Sequence, residues 1–206
     1  MVEQDTGKPG IWGVLAYWGL HGWILAYCFV MGSAFFIQFV EGEFPCPLCM
    51  LQRYGMILAT LGALYVVMQA RRGTLTPARY AQGLGMGLIA VVAGASVSVR
   101  QILLHIKPGD EGYGEPVLGM HLYTWAFITF AIVMIYVGVM LMLMPRGIPQ
   151  APADGTAARK VSTVIIWIFI GVVAANVIAI IFLEGFAMVL PDDPLSYNLI
   201  DQLTGR

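Results

Sequence analysis

The chain alternates long apolar runs with short polar segments. An apolar run of about 18 residues or more is long enough to cross a bilayer as a helix. The pattern therefore predicts five membrane spans, at residues 11–40, 54–70, 81–106, 120–144 and 161–190. The second run is short, and its helix is expected to begin earlier, around Leu48 and Cys49. The fifth run is long enough to tilt or to extend past the bilayer.

The composition supports an integral membrane protein built only of helices. Of the 206 residues, 59% are hydrophobic and 11% are charged, and the mean hydropathy is +0.78. These values lie outside the range of soluble globular proteins. The first apolar run is too long for a cleavable signal peptide and lacks a strongly basic start, so we expect it to remain as a span. The net charge of −1 identifies no partner, and no nucleic-acid partner is expected.

Charged residues are distributed unequally among the segments that join the spans. Basic residues concentrate at the N-terminus and in the second and fourth connections: Lys8, Arg71, Arg72, Arg79, Arg146, Arg159 and Lys160. The other segments are mainly acidic: Glu41, Glu43, Asp110, Glu111, Glu115, Asp192 and Asp193. Because cytoplasmic loops are enriched in Lys and Arg, the N-terminus is predicted to be cytoplasmic and the C-terminus external. In a bacterial inner membrane the external side is the periplasm, where disulfides persist.

Two of the chain's three cysteines lie in the first external segment, as Cys46-x-x-Cys49. A helix that begins here places Cys49 near its N-terminus, where the helix dipole stabilises a thiolate. Arg53 follows four residues later on the same helical face, and Gln52 is placed to hydrogen-bond the thiolate or a carbonyl. Cys46 is predicted to be the more reachable sulfur, attacked by an external thiolate, with Cys49 released as the leaving thiolate. The motif is typical of a redox-active dithiol.

Two other interpretations of the cysteine pair remain open. The first is an inert structural disulfide, although its loop is so short that it would constrain the unfolded chain little. The second is a zinc site in which His105 and His121, predicted on the same side, complete a Cys₂His₂ set with Cys46 and Cys49. The spacing of these residues is not that of a known zinc module, so no metal is expected.

Several small or polar residues lie inside the predicted spans. Cys28 is expected to be a buried apolar side chain rather than a reactive thiol. Gly83 and Gly87 have the spacing of close helix contacts, which we expect within the chain. His21 is interpreted as a hydrogen-bonded histidine of the bundle, or alternatively as a haem ligand. Asn176 is expected to hydrogen-bond between helices.

A dithiol that is oxidised repeatedly needs an electron acceptor. The chain has no glycine-rich nucleotide-binding loop for a flavin or nicotinamide, so a quinone dissolved in the membrane is the natural candidate. Its site needs an apolar slot with cationic or hydrogen-bonding groups near the dithiol, and six residues are candidates: Gln52, Arg53, Arg100, Gln101, His105 and His121. Arg100 is expected either to face the bundle or to reach out to water. Tyr123 and Trp125 are interpreted as interfacial belt residues.

These residues resemble the DsbB family of disulfide-forming membrane proteins. The resemblance rests on Cys46-x-x-Cys49 followed by Arg53, on Arg100-Gln101 through His105, and on residues 116–125, and it covers roughly residues 11–145. It implies a four-helix membrane bundle in residues 1–145. To this the chain adds a cytoplasmic linker, residues 146–160, and a fifth transmembrane helix with a periplasmic tail, residues 161–206.

The resemblance also implies an activity and partners. Members of the family accept electrons from a periplasmic thioredoxin-fold dithiol oxidase of the DsbA type and pass them to ubiquinone or menaquinone. Carried onto this chain, the resemblance makes Cys49 the thiol next to the quinone, Cys46 its disulfide partner and Arg53 the residue that supports the quinone. It implies a dithiol:quinone oxidoreductase of the bacterial inner membrane that supports disulfide bond formation.

Two features depart from the family pattern. A second cysteine pair normally lies in the external loop between the third and fourth helices, but residues 107–119 contain no cysteine. The fifth span is the other departure, and its tail is a candidate docking segment for a partner. Three hypotheses follow: oxidation of a partner dithiol through Cys46 and Cys49, electron flow in the opposite direction, and a non-catalytic or metal-binding membrane subunit with a structural cysteine pair.

Overall fold

The computed structural model describes residues 10–187, 194 and 196–205. Nearly all of this part of the chain is helical, and it contains no strand beyond an isolated bridge between Val117 and Met120. Five of its helices are long and apolar enough to cross a membrane. The predicted all-helical class and the five spans are therefore confirmed.

The helices follow one another along the chain with short connections. Their bounds are α1 Ile11–Phe36, continued by a π-helical turn Ile37–Glu41; α2 Pro47–Arg71; α3 Pro77–Leu104; α4 Leu122–Leu143, continued by a 3₁₀ turn Met144–Arg146; α5 Ala157–Glu184, continued by a 3₁₀ turn Gly185–Ala187; and α6 Asn198–Thr204. The predicted end of the fifth span at residue 190 lies outside the described residues, as do Lys8, Asp192 and Asp193.

Helix α2 begins where the sequence supplies both a rigid first residue and a cap. Pro47 occupies the first helical position, where its fixed φ suits the helix and its missing N–H is no loss. Helix α3 begins in the same way, with Pro77 at its first position and the Thr76 side chain as its cap. Upstream, Gly42 has φ +79° and ends the π-helical turn that extends α1. The chain therefore turns sharply between α1 and α2, and the cysteine motif lies at this turn.

Helices α1 to α4 form a bundle in which α2 and α3 make the closest approach. A Cβ atom added to Gly62 of α2 would lie 2.6 Å from the carbonyl oxygen of Gly83 and 2.6 Å from the nitrogen of Gly87, both in α3. Gly94 of α3 faces the Phe130 ring of α4 in the same manner. The predicted use of Gly83 and Gly87 for contacts within the chain is confirmed, because their lack of a side chain lets the backbones meet.

Helix α5 lies outside the four-helix bundle and packs on α1. Its Ser162 hydroxyl is the centre of a buried polar cluster: Tyr17 Oη lies 2.6 Å away, His21 Nε2 lies 2.9 Å away, and Arg71 Nη1 donates to it at 2.7 Å. The other His21 nitrogen lies 2.9 Å from the Tyr17 carbonyl oxygen. His21 is thus a hydrogen-bonded histidine of the bundle, as expected, with neither ring nitrogen left for a haem.

Of the predictions for two further residues inside the spans, one is confirmed and one is wrong. Cys28 is buried in the apolar core, as predicted. The prediction for Asn176 is wrong: its amide is fully buried in α5 but has no hydrogen-bond partner within the described part of the chain. The surrounding face of α5 is apolar, so the amide has nothing to bond.

The glycine contact between α2 and α3 gives a prediction for stability. Gly62→Ala should lower the free energy of unfolding by about 1–3 kcal/mol relative to Gly85→Ala, because the added methyl group overpacks the contact. Gly85 is the matched control, since a Cβ atom there meets nothing within 4 Å and both substitutions gain the same helix propensity. Thermal unfolding of the two variants in the same detergent measures the difference, and equal midpoints would contradict the proposed contact.

Candidate functional site

The cysteine motif forms the first turn of α2. Cys46 is the residue that caps this helix, and its sulfur accepts a hydrogen bond from the Cys49 backbone N–H at 3.2 Å. Cys49 therefore lies in the first turn, near the positive end of the helix dipole, as the sequence predicted. The two sulfur atoms are 2.8 Å apart, adjacent to each other as a pair that forms and breaks a disulfide must be.

A pair of glutamine side chains contacts the two sulfurs. Gln101 of α3 points its amide nitrogen at them, 3.3 Å from the Cys46 sulfur and 3.5 Å from the Cys49 sulfur. Its amide oxygen accepts a hydrogen bond of 2.8 Å from the Gln52 amide nitrogen, which fixes the direction in which the Gln101 amide points. A sulfur that becomes a thiolate here has an N–H donor already in place, and bonds of this kind favour the charged form.

The structure reverses the predicted accessibility of the two sulfurs. Cys46 is only 6% exposed, whereas Cys49 is partly exposed. The prediction that Cys46 is the more reachable sulfur is therefore wrong for this conformation, because its role as the cap turns it inward, next to Gln101. Its hydrogen bond with Cys49 and its burial raise the pKa of the Cys46 thiol.

A largely apolar cavity of about 420 Å³ lies beside Cys49. It is bounded by α1, α2, α4 and the connection between α3 and α4, and its walls include Phe29, Met31, Cys49, Met56, Tyr123 and Ala126. Gln52 and Arg53 contribute polar groups to the same walls. Phe29 and Leu118 are strongly exposed at its edge. Because the outer surface of this bundle is apolar, the cavity is suited to an apolar ligand that carries a few hydrogen-bond acceptors.

Arg53 is 7% exposed and is held toward α1. One guanidinium nitrogen donates to the Gln38 side-chain oxygen at 2.9 Å, and another donates to the Ala34 carbonyl oxygen at 3.4 Å. The guanidinium carbon lies 5.3 Å from the centre of the Phe35 ring, in the range of a cation–π contact. These contacts account for a buried cation within an apolar bundle and hold it in the cavity wall.

Gln38 is a site residue that the sequence analysis missed. It is 2% exposed and lies in the π-helical turn that extends α1. A signal for it was present, because a glutamine within a long apolar run is costly in a membrane and tends to have a function. What the sequence did not indicate was its partner, Arg53, which lies on another helix.

The other four candidates for the quinone site do not line the cavity. Gln101 lies behind the two sulfurs instead. The rings of His105 and His121 each stack with the Tyr123 ring, with centres 5.7 Å and 5.2 Å from it. Arg100 is exposed on α3 and does not face the bundle. Of its two expected placements, facing the bundle or reaching outward, the outward one is observed.

The zinc interpretation has no support in this arrangement. Among the described residues, no group of three or more His, Cys, Asp or Glu side chains is placed to hold a metal ion. The two histidines of that interpretation are engaged elsewhere: His105 Nδ1 lies 3.0 Å from an Asp110 carboxylate oxygen, and His121 Nδ1 lies 3.0 Å from the Gly114 carbonyl oxygen. Cys46, Cys49, His105 and His121 therefore do not form a site.

Comparison with known proteins gives consistent results. The family model described as "Disulfide bond formation protein DsbB" matches residues 17–113. The chain is similar to disulfide bond formation protein B of Hahella chejuensis, with 37% identity over 87 residues, 42% of this chain and 50% of that protein. It is similar to the protein of the same name from Chromobacterium violaceum, with 40% identity over 81 residues, 39% of this chain and 46% of that protein.

A longer alignment is found with disulfide bond formation protein B of Azoarcus sp., at 30% identity over 116 residues, 56% of this chain and 67% of that protein. In the alignments with the Hahella and Chromobacterium proteins, the chain spans about half the length of each relative. No solved structure matches the chain significantly. The match to the family model includes the cysteine motif, Gln38, Arg53 and Gln101, and ends before α4 and α5.

The bond between Arg53 and Gln38 gives a prediction. Gln38→Leu should lower the free energy of unfolding by about 1–3 kcal/mol, because it leaves buried N–H donors of a cation without their side-chain acceptor. Gln82→Leu is the control, since Gln82 is exposed and its loss should change stability by less than about 0.5 kcal/mol. Thermal unfolding in detergent compares the two variants, and a Gln38→Leu protein as stable as the control would show that Arg53 does not depend on this bond.

Proposed function

The chain belongs to the DsbB family, and we propose that it is a membrane oxidoreductase that oxidises a dithiol protein through Cys46 and Cys49 and passes the electrons to a quinone. Membership of this family and five long apolar helices make it a multi-pass membrane protein. The observation that carries the proposal is the position of Cys49: its sulfur is adjacent to that of Cys46 and lies in the wall of an apolar cavity beside Arg53.

The first half of the proposed reaction is thiol–disulfide exchange. A thiolate of the partner attacks the Cys46 sulfur, the bond between Cys46 and Cys49 breaks, and Cys49 leaves as a thiolate. The second partner thiol then attacks the mixed disulfide, which forms the partner's disulfide and releases Cys46. The Gln101 N–H group lies 3.5 Å from the departing Cys49 sulfur and favours its charged form.

The second half returns the pair to the disulfide. As the bond between Cys46 and Cys49 forms again, the two cysteines give up two electrons, and a quinone bound in the cavity would supply the oxidant by taking these up with two protons. The residues present fit such a group, because the walls are apolar while Arg53 and Gln52 offer N–H donors to carbonyl oxygens. Arg53 is held in place by Gln38 and the Ala34 carbonyl, so this donor is positioned before any ligand binds.

The proposed setting follows from the distribution of charge. The segments rich in Arg and Lys are assigned to the cytoplasm, which places the dithiol and the C-terminus in the periplasm of a bacterial inner membrane. A thioredoxin-fold protein of the DsbA type is the proposed partner, and ubiquinone or menaquinone the acceptor. Residues 107–119 contain no cysteine, so we propose that the partner reacts directly with Cys46; a relay pair supplied by a second protein is the alternative. We propose the same three parts for the chain: the four-helix transmembrane domain in residues 1–145, the cytoplasmic linker in residues 146–160, and the fifth transmembrane helix with its periplasmic tail in residues 161–206.

The cysteines provide the direct test. The purified full-length chain is mixed with a reduced thioredoxin-fold dithiol protein and a soluble quinone, and quinone reduction is followed by absorbance. Cys46→Ser and Cys49→Ser should each lower the rate at least 100-fold, because neither variant can form the internal disulfide. Cys28→Ala is the matched control and should keep the rate within twofold, since Cys28 lies in the core away from the pair.

Full activity of the Cys49→Ser variant would overturn the proposal and favour a structural cysteine pair. Direction is tested separately by supplying quinol together with the oxidised partner. Faster reduction of the partner's disulfide than of the quinone in the two matched assays would mean that electrons flow the other way. That direction depends on the reduction potentials of the two couples.

The cavity gives a second prediction. Ala126→Phe should raise KM for the quinone at least fivefold, because Ala126 is 4% exposed and its side chain faces the cavity, so a phenyl ring would fill part of that space. The thiol half of the reaction, measured as one round of partner oxidation without quinone, should be unchanged. Ile132→Phe is the control on the same helix, because Ile132 is 60% exposed on the outer surface of the bundle. Equal KM values in the two variants would place the quinone elsewhere.

A further inference from the structure

The loop that precedes α2 is held in place by other segments of the chain. Glu43 accepts hydrogen bonds from the Glu115 backbone N–H at 3.3 Å and 3.4 Å. The Tyr113 hydroxyl donates to the Phe44 carbonyl oxygen at 2.7 Å. The Phe44 ring meets the Tyr197 ring edge to face, with centres 5.0 Å apart. Because these residues come directly before Pro45 and Cys46, the contacts hold the segment in which Cys46 is buried.

Tyr197 reaches this loop from the far end of the chain. It directly precedes α6, and its ring also lies edge to face against Phe182 of α5, with centres 6.4 Å apart. Gln202 of α6 accepts a hydrogen bond of 2.8 Å from the Phe186 backbone N–H. The short terminal helix is therefore attached to the outer end of α5, and it presents Tyr197 to the dithiol loop. This segment lies outside the part of the chain that matches the family model.

We propose that Tyr197 is a positioning residue that holds Phe44 and its loop closed over Cys46, so that the C-terminal segment controls access of thiols to the dithiol. Three observations carry this proposal. Cys46 is 6% exposed, its loop is bound from two separate segments, and within the described part of the chain no strand pairs with that loop. Attack on Cys46 then requires an opening of the loop, and the open fraction depends on the contact between Tyr197 and Phe44.

The inference rests on the proposed function only for the identity of the attacking thiol. The burial of Cys46 and its dependence on Tyr197 are properties of the chain itself. They can be measured without a quinone and without a partner. An error in the proposal about Tyr197 and an error in the proposed reaction therefore give different results.

The test is the rate at which a small maleimide alkylates Cys46. The full-length chain carries Cys49→Ala, so that Cys46 has no sulfur partner, and the labelled peptide is quantified by mass spectrometry. An edge-to-face aromatic pair contributes about 0.5–1.5 kcal/mol, so Tyr197→Ala should speed alkylation of Cys46 by about 2- to 12-fold. Alkylation of buried Cys28 in the same sample reports any general loosening and should be unchanged.

Three further variants make the result specific. Tyr197→Phe keeps the ring and should keep the slow rate, whereas Tyr113→Phe removes the bond to the Phe44 carbonyl and should also speed alkylation. Leu203→Ala is the matched control in α6, because Leu203 is 68% exposed, and it should have no effect. An alkylation rate for Tyr197→Ala equal to that of the control, or an equal rise at Cys28, would overturn the proposal.

Turnover with a reduced thioredoxin-fold partner separates a cover from a docking segment. If the segment covers Cys46, Tyr197→Ala raises kcat/KM for the partner. If the segment instead binds the partner, the same variant lowers kcat/KM for the partner. That result would contradict the proposal that the C-terminal segment restricts access to Cys46.

Discussion

The site depends first on the way α2 begins. Pro47 starts the helix and the Cys46 sulfur caps it by accepting the Cys49 N–H. Once that start is fixed, helical geometry determines where Cys49, Gln52 and Arg53 can lie, because each is a set number of residues from the cap. Cys46 is thus both one half of the dithiol and the group that positions the other half. If α2 began at a different residue, Cys49, Gln52 and Arg53 would point in other directions relative to the cavity.

Paired polar groups inside an apolar bundle are the second constraint. A buried polar group without a partner is costly, and more so where no water is available. Arg53 is paired with Gln38, Gln52 with Gln101, and His21 with Ser162. The first two pairs join α2 to the turn that extends α1 and to α3 around the dithiol, so the bonds between these groups also fix the geometry of the site. The third attaches α5 to α1 at the opposite end of the bundle, near Arg71.

The two sulfurs have different environments although they touch. Cys49 lies in the wall of a cavity that reaches the apolar surface of the bundle, and Cys46 is buried directly after a loop that Tyr113 and Tyr197 contact. Phe44 of that loop and Tyr113 also line the cavity, so the loop and the cavity adjoin each other beside the two sulfurs.

The sequence alone determined the five helices, the start of α2 and the identity of the dithiol. Hydropathy and short-range spacing carry these features, because a span in a membrane and a helical turn depend on residues that are close along the chain. The tertiary structure alone decided that Gln38 pairs with Arg53, that Gln101 contacts both sulfurs and that Tyr197 packs on Phe44 in the loop before Cys46. These contacts join residues on different helices or at opposite ends of the chain. Cys46 is turned inward as the cap of α2, next to Gln101 of α3, and because the motif does not indicate this contact, its accessibility was mispredicted.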